Sequence, residues 1–196
     1  MMRRDECFKK IAELRGDAIV VSSYSSAFEW RAVDPNPLNY VSVGVMGQAP
    51  SHALGLAIGL PDEKIIVLDG DGALLMNLQC LVTIAEAAPK NILHFVSENG
   101  CYEANGSHPI PGKGKIDFAG MARSAGYAHV FEFDGMNQFS AELPRVMALE
   151  GPVFVTLKIE AAGELELDYP YTHGAQARED FRQAVKPLIA KRDAAV

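Results

Sequence analysis

Two apolar runs flank an apolar helical segment within residues 64–106, and this arrangement constrains the fold more than any other feature of the chain. The first run ends in Gly70-Asp71-Gly72, and the second ends at Asn99-Gly100, 28 positions after Asp71. A strand, a helix and a second strand in this order are typical of a parallel βαβ unit. Because neighbouring parallel strands end at the same edge of a sheet, we expect Asp71 and Asn99 to converge there.

A carboxylate and a carboxamide at one sheet edge predict, in outline, a site for a metal and a diphosphate. Mg²⁺ prefers oxygen ligands at roughly 2.0–2.1 Å and often completes its shell with substrate phosphates. The glycines beside Asp71 let the backbone approach an anion and direct amide groups at it. Two plainer interpretations exist: Gly-Asp-Gly alone suits a strand-to-turn connection with a solvated aspartate, and Asn99-Gly100 is an ordinary turn signal.

A second stretch, residues 39–64, precedes the first and has a related organisation. A strand-like run ends at Gly44-Val45-Met46-Gly47, and a helix rich in small residues follows it. Small residues allow close backbone packing around that helix. Met46 by itself would be interpreted as an ordinary core residue.

Together the two stretches resemble the thiamin diphosphate enzymes, whose anchoring motif is Gly-Asp-Gly followed at a similar spacing by Asn-Asn. Here the second motif is Glu98-Asn99, so its first Asn is missing. The resemblance implies that Asp71, Asn99 and the backbone carbonyl of Cys101 bind Mg²⁺. It also implies that the cofactor thiamin diphosphate contacts a further set of residues: Gly44, Met46, Gly70, Gly72, Ala73 and Tyr102.

The resemblance implies that Met46 holds the cofactor in its bent shape and that the Gly44 carbonyl holds the aminopyrimidine amine. An apolar wedge under the thiazolium would force that amine against the reacting carbon. Ala73 stands where the family often has Ser or Thr, so a hydroxyl contact to a phosphate is lost.

The run after Asn99 resembles the phosphonopyruvate and sulfopyruvate decarboxylase group, which has Asn-Gly-X-X-Glu-X-X-Gly-X-X-Pro. Glu103, Gly106 and Pro109 fill those places, whereas His108 stands where the group usually has Gln. This resemblance implies decarboxylation of a 2-oxo acid, with Glu103 and His108 as catalytic candidates beside the substrate. Two alternatives to a decarboxylase remain. The chain could belong to an enzyme that catalyses acyl transfer or a synthase reaction, or it could be a non-catalytic homologue that acts in assembly.

The chain length bears on domain organisation. A chain of 196 residues with 48% hydrophobic composition can form one domain that buries about 70% of its unfolded surface. We expect residues 1–196 to be a single diphosphate-binding domain, because the resemblance covers that domain alone. The start at Met1 and the charged terminal helix lead us to expect a naturally separate subunit rather than a fragment. The resemblance implies a separate pyrimidine-binding subunit, which would supply the glutamate that activates the cofactor, in an α₂β₂ hetero-oligomer.

Charge and cysteine content exclude several classes of function. A net charge of −7 argues against nucleic acid or an anionic membrane as partners. Three cysteines without a CxxC pair favour a reducing cytoplasm without structural disulfides, and they argue against an iron-sulfur cluster, which needs about four thiolates. No uncharged run is long enough to span a membrane, and neither the Rossmann glycine pattern nor a P-loop is present.

Along the chain, apolar runs alternate with amphipathic segments, which predicts an α/β fold with a doubly wound, parallel six-stranded sheet and helices on both faces. Strands are predicted at 17–23, 39–43, 64–69, 91–97, 128–133 and 152–159. Helices are predicted at 5–14, 25–33, 49–60, 74–88, 117–125, 139–149 and 177–191, with 161–176 irregular.

Some polar residues have two interpretations. The serines at 22, 23, 25 and 26 follow a strand, where a hydroxyl can meet a phosphate or cap the next helix, and capping is favoured for most of them. His108 and His173 lie in predicted loops, where an imidazole can transfer protons or bind an acidic group. Lys113 and Lys115 could neutralise a phosphonate or sulfonate, or could simply be solvated. Cys80 and His94 are expected to be buried packing residues.

Overall fold

The computed structural model describes residues 1–42, 44, 46–163 and 168–194. Within these residues, strands form at β1 Ile19–Ser23, β2 Asn39–Ser42, β3 Ile65–Gly70, β4 Ile92–Glu98, β5 Cys101–Tyr102, β6 His108–Pro109, β7 His129–Phe133 and β8 Val153–Lys158. Helices form at α1 Arg4–Leu14, α2 Tyr24–Val33, α3 Ala49–Gly59, α4 Asp71–Leu75, α5 Gln79–Ala87, α6 Phe118–Ala125, α7 Met136–Ala148, α8 Tyr169–Thr172 and α9 Ala175–Asp193.

Six of the strands form one parallel sheet in the order β2-β1-β3-β4-β8-β7, and β5 and β6 form a separate antiparallel hairpin. The predicted doubly wound parallel sheet is confirmed. Each central strand is buried on both faces, which explains why these segments are continuous apolar runs rather than alternating ones.

Two hydrophobic cores lie on opposite faces of the sheet. One contains side chains of α3, α5, α6 and α9 packed on Ile19, Val67 and Phe154. The other contains side chains of α1, α2 and α7, including the fully buried Trp30. Helices therefore cover both faces, and the carboxyl edge of the sheet is left for the loops.

The predicted helix at 74–88 is wrong as one element, because the chain forms α4 and α5 with a break around Asn77. At the break the backbone bonds tighten to three-residue spacing: the Asn77 amide donates to Leu74 O at 3.0 Å, and the Cys80 amide donates to Asn77 O at 3.0 Å. The Asn77 side-chain amide donates to the Gly47 carbonyl at 2.8 Å. A tertiary hydrogen bond thus accompanies the interruption of a helix that local sequence favours.

The C-terminal part also differs from the prediction. The segment 161–176 was expected to be irregular, but it contains α8, and α9 begins at Ala175. The Asp168 carboxylate accepts from the Tyr171 amide at 3.2 Å and so caps α8. Residues 164–167 of that segment lie outside the described residues.

Cys80 and His94 are buried, as predicted. The thiols of Cys7, Cys80 and Cys101 are all free and buried. None of the described helices combines the length and the apolar character that crossing a membrane requires.

Candidate functional site

The sheet has a topological switch point between β1 and β3. From β1 the chain continues outward to β2, and it then returns to place β3 on the other side of β1. In open parallel sheets, ligands bind in the crevice beyond the carboxyl ends of the strands at such a point. The β1–α2 turn, the β3–α4 turn and the segment after β4 meet there around a small cavity of about 40 Å³.

This cavity collects nearly all of the predicted site residues. Those that line it are Met46, Gly70, Asp71, Gly72, Ala73, Asn99, Cys101, Tyr102 and Glu103. Of the predicted set, Gly44 and His108 do not line it. The convergence of Asp71 and Asn99, which are far apart in sequence, follows from the parallel pairing of β3 with β4.

Asp71 is the buried carboxylate of the cavity, with 1% of its surface exposed. Its Oδ1 accepts from the Gly72 amide and its Oδ2 from the Gly100 amide, each at 2.7 Å. Burial raises the pKa of Asp71 to about 6, although these amide hydrogen bonds act in the opposite direction. A divalent cation at this point would relieve the cost of burying the carboxylate.

Asn99 and Cys101 are held by a local turn after β4. The Asn99 side-chain oxygen accepts from the Cys101 amide at 2.9 Å. Gly100 between them has φ +74°, a conformation that glycine adopts without steric cost. The turn therefore brings a carboxamide oxygen and a peptide segment next to the buried Asp71 carboxylate.

Position 72 requires glycine because Tyr102 and Ile110 pack closely against its backbone. A Cβ at this position would lie 2.5 Å from Tyr102 Cδ1 and 3.3 Å from Ile110 Cγ2. At Gly70 a Cβ would meet nothing within 4 Å. The second glycine of the motif is thus fixed by packing against the loop after β4.

The turn that contains Met46 and Gly47, called the Met46 turn, is hydrogen-bonded to the break between α4 and α5. Gly47 has φ +83°, and a Cβ there would lie 2.8 Å from the Ala73 carbonyl oxygen. The Gly47 carbonyl accepts the hydrogen bond from Asn77. These contacts place the half-buried Met46 at the cavity wall, beside the Gly-Asp-Gly turn.

The β1–α2 turn forms the opposite wall, with Ser23, Tyr24, Ser25 and Ser26. Capping was predicted for most of these serines, but Ser23, which occupies the N-cap position, makes no capping hydrogen bond. Its hydroxyl instead donates to Asp69 Oδ1 at 3.1 Å. Tyr24 has φ +41°, a strained conformation for a residue with a side chain, and such strain clusters at functional sites.

Arg4 is a cavity residue that sequence reasoning missed. It lies at the start of α1, is 4% exposed and lines the cavity. Its Nη1 donates to Glu103 Oε2 at 2.6 Å, and its Nε donates to Glu29. The other Glu103 oxygen accepts from the Ala162 amide at 2.7 Å, so this carboxylate joins α1 to two loops. No local signal marks an arginine 99 positions before its partner.

The remaining candidates lie outside the cavity. His108 is exposed on the β5–β6 hairpin, and Lys113 and Lys115 are exposed in the loop that follows it. His173 follows α8, where its Nδ1 lies 3.1 Å from the Thr172 hydroxyl. Gly44 is exposed and has φ +94°.

A larger cavity of about 610 Å³ is lined by residues of α2, β2 and α9 and by Ser22 at the end of β1. None of the predicted ligands lines it. The chemistry of the site therefore belongs to the small cavity, where the buried carboxylate lies.

The donors of the small cavity fit a metal and a phosphate better than a cage of side-chain ligands. No cluster of three or more His, Cys, Asp or Glu side chains suited to a metal occurs in the described part of the chain. Mg²⁺ commonly takes only one or two protein carboxylates and completes its shell with waters and phosphate oxygens. The volume suits an ion with a few waters or one phosphoryl group, since a water needs at least roughly 10–15 Å³ of such space.

Comparisons with known proteins agree with this geometry. The family described as the C-terminal TPP-binding domain of thiamine pyrophosphate enzymes matches residues 21–157. A phosphonopyruvate decarboxylase from Streptomyces viridochromogenes is 32% identical over 176 residues, which are 89% of this chain and 44% of that protein. The subunit beta of a sulfopyruvate decarboxylase from Methanothermobacter thermautotrophicus is 31% identical over 161 residues, covering 82% of this chain and 83% of that subunit.

The chain spans less than half the length of the phosphonopyruvate decarboxylases that it matches. A solved structure from Mycobacterium smegmatis, described as a thiamin diphosphate-dependent enzyme, has a TM-score of 0.69 at 21% identity. The superposition covers 82% of this chain and 32% of the Mycobacterium smegmatis chain. At this identity the similarity supports the fold alone. The family match, the similarity to the beta subunit and the shared fold agree, and the chain belongs to the C-terminal TPP-binding domain family of the thiamine pyrophosphate enzymes.

Proposed function

We propose that residues 1–196 form the diphosphate-binding subunit of a decarboxylase that acts on a 2-oxo acid and depends on thiamin diphosphate and Mg²⁺. The observation that carries this proposal is the buried Asp71 carboxylate, which shares one cavity with Asn99 and Cys101 at the switch point of the sheet. A carboxylate at this depth is costly without a positive partner. A divalent cation bound there would supply that partner.

In this proposal Asp71, the Asn99 side-chain oxygen and the Cys101 carbonyl hold Mg²⁺. The amides at the start of α2 and the Gly70 and Gly72 backbone border the diphosphate, because helix N-termini and glycine turns favour anions. Ala73 lines the cavity without a hydroxyl, so backbone groups carry more of the phosphate contact. The bound cofactor would accept the electron pair left by the departing carboxylate, which is chemistry that the protein itself lacks.

Met46 is proposed to support the cofactor ring from the cavity wall, with the Gly44 carbonyl beside the aminopyrimidine. The Met46 turn is tied to the α4–α5 break through Asn77. A rigid attachment of this kind suits a residue that sets the shape of a bound group rather than its affinity.

Glu103 and His108 differ in what their surroundings allow. The Glu103 carboxylate is 7% exposed and is engaged by Arg4 and Ala162, so we propose that it borders the site and positions the loop after Cys101. His108 is exposed on the hairpin and has no described partner that would prevent it from meeting substrate. We propose that it faces the substrate once the open side of the site is covered.

We propose that a separate pyrimidine-binding subunit packs against the open side of the site. Three relatives are named as beta subunits of a sulfopyruvate decarboxylase, and the phosphonopyruvate decarboxylases are more than twice as long as the matched segment. The second protein would supply the activating glutamate, and the pair would assemble as α₂β₂. Burying the open side would also exclude water from the reacting carbon.

An acyl transfer reaction is the second candidate. An acetolactate synthase from Nicotiana tabacum is 36% identical over 80 residues, which are 36% of this chain and 12% of that protein. In this alternative a second carbonyl compound, rather than a proton, meets the same cofactor-bound carbon. Product analysis after turnover distinguishes an aldehyde from a condensation product.

Two measurements test the proposal. Calorimetric titration with thiamin diphosphate should show binding in Mg²⁺ and none in excess EDTA, and Asp71→Ala should abolish it. Release of CO₂ from sulfopyruvate, phosphonopyruvate and simple 2-oxo acids is then measured for the chain alone and for the chain co-expressed with its partner. Binding that ignores both Mg²⁺ and Asp71 would contradict the site, and robust turnover by the chain alone would contradict the need for a partner.

A further inference from the structure

Arg4 brings a buried guanidinium to the site cavity from the N-terminal helix. Among the described residues that line the cavity, it is the one with a basic side chain. The bridge between Met2 and Ile159 attaches the N-terminus to the chain just after β8, at the carboxyl edge of the sheet. Tertiary structure therefore places Arg4 and Asp71 on the wall of one cavity, although 67 positions separate the two residues, and Arg4 also borders a second cavity of about 230 Å³ with Glu29 and Ala162.

Two of the three guanidinium nitrogens have carboxylate partners. Nε donates to Glu29 and Nη1 donates to Glu103. Nη2 is buried and has no hydrogen-bond partner in the part of the chain that the structure describes. Leaving a buried charged donor unpaired costs free energy, and native structures rarely do so without a ligand or water to accept the bond.

We propose that Nη2 of Arg4 donates a hydrogen bond to a phosphoryl oxygen of a metal-bound diphosphate in this cavity. The inference rests on the proposed function and adds a ligand-contacting residue from outside the sequence motifs. Glu29 and Glu103 already offset the guanidinium charge, so Arg4 serves as a directional donor more than as an uncompensated cation. The two carboxylates also fix the plane of the group before the ligand arrives.

Arg4→Lys is the variant of choice, because lysine keeps a cation between the two carboxylates and removes Nη2. We expect its affinity for inorganic pyrophosphate in saturating Mg²⁺, and for thiamin diphosphate, to fall roughly ten- to hundredfold in calorimetric titrations, which corresponds to the loss of one charge-assisted hydrogen bond. Its affinity for Mn²⁺ alone, measured by electron paramagnetic resonance, should not change. Unchanged pyrophosphate affinity would overturn the inference, and so would an equal loss of Mn²⁺ affinity, which would mean that Arg4 only positions the metal loop.

Arg15→Lys is the matched control. Arg15 is also buried and paired, with Asp34 and Asn39, and its Nε likewise has no partner among the described residues, but Arg15 does not line the site cavity. This variant should bind pyrophosphate as the wild type does, and a loss equal to that of Arg4→Lys would overturn the inference.

A measurement on the wild-type chain guards against a variant that fails to fold. The Arg4 guanidinium signals in ¹⁵N NMR should shift and exchange more slowly when Mg²⁺ and pyrophosphate are added, while those of Arg15 stay unchanged. No change at Arg4 in a chain that binds pyrophosphate would overturn the inference while leaving the proposed function intact. A wild-type chain that binds neither pyrophosphate nor thiamin diphosphate would remove both.

Discussion

The buried Asp71 carboxylate should leave a measurable trace in the stability of the chain without metal. Burial raises its pKa to about 6, against an ordinary value of 3.8. The folded state therefore binds the Asp71 proton more tightly than the unfolded state, and unfolding becomes easier as the pH rises through the window between 3.8 and about 6. The destabilisation is complete above this window and disappears below it.

The size of the effect follows from the two pKa values. A difference of about two pH units corresponds to about 3 kcal/mol at neutral pH, at roughly 1.4 kcal/mol for each unit. Between about pH 4.5 and about pH 7.5 the change attributable to Asp71 is about 2 kcal/mol, because the carboxyl is already partly ionised in the unfolded chain at the lower pH.

Asp71→Asn isolates this contribution, because the amide stays neutral at both pH values while the other titrating groups are shared with the wild type. Urea unfolding in EDTA measures the free energy of unfolding of both proteins at each pH. The difference between variant and wild type should shift in favour of the variant by about 2 kcal/mol on going to the higher pH. Asp62→Asn, which removes the same charge from an exposed position, is the control. A difference that is equal at both pH values, or that shifts the other way, would show that burial does not raise the pKa of Asp71.

Three further predictions concern Gly72, Met46 and the buried thiols. Gly72→Ala should lower the free energy of unfolding by about 1–3 kcal/mol in urea, because the added Cβ would lie 2.5 Å from the Tyr102 ring. Gly70→Ala is the control, since a Cβ there meets nothing within 4 Å, and an equal loss of stability in both variants would contradict the packing argument. Met46→Ala, assayed in the active assembly, should lower turnover more than cofactor affinity, and equal losses with a lowered melting temperature would indicate a core defect. Burial raises the pKa of Cys7 and of Cys80 to about 12, so neither thiol should react with Ellman's reagent at about pH 8 until the chain is unfolded; fast reaction in the native chain would show that they are accessible.

Much of the architecture could be predicted from local sequence. The strands are continuous apolar runs, because both faces of a central parallel strand are buried, and this pattern is visible one segment at a time. The meeting of Asp71 with Asn99 followed from the βαβ order alone. Gly72 and Gly100 could be assigned to turns, although the reason for Gly72, the Tyr102 ring, lies in another segment.

Other features depend on contacts between distant segments and had no local signal. Residues 74–88 favour one helix, yet Asn77 interrupts it with a hydrogen bond to Gly47, 30 positions earlier. Ser23 would be assigned to a helix cap, but its hydroxyl donates to Asp69 on the neighbouring strand. A tertiary hydrogen bond thus accompanies the helix break at Asn77, and at Ser23 a tertiary partner replaces the local one.

Local sequence was enough to predict the six strands of the parallel sheet and the edge where Asp71 and Asn99 lie. These depend on the periodicity of apolar residues and on short motifs, which act over a few neighbouring positions. The packing of distant segments, in contrast, brings Arg4 to the same cavity and lets Arg4 and Ala162 hold the Glu103 carboxylate. Burying a charged group requires a partner of opposite charge, and the position of that partner is set by how the segments pack, not by their distance along the chain.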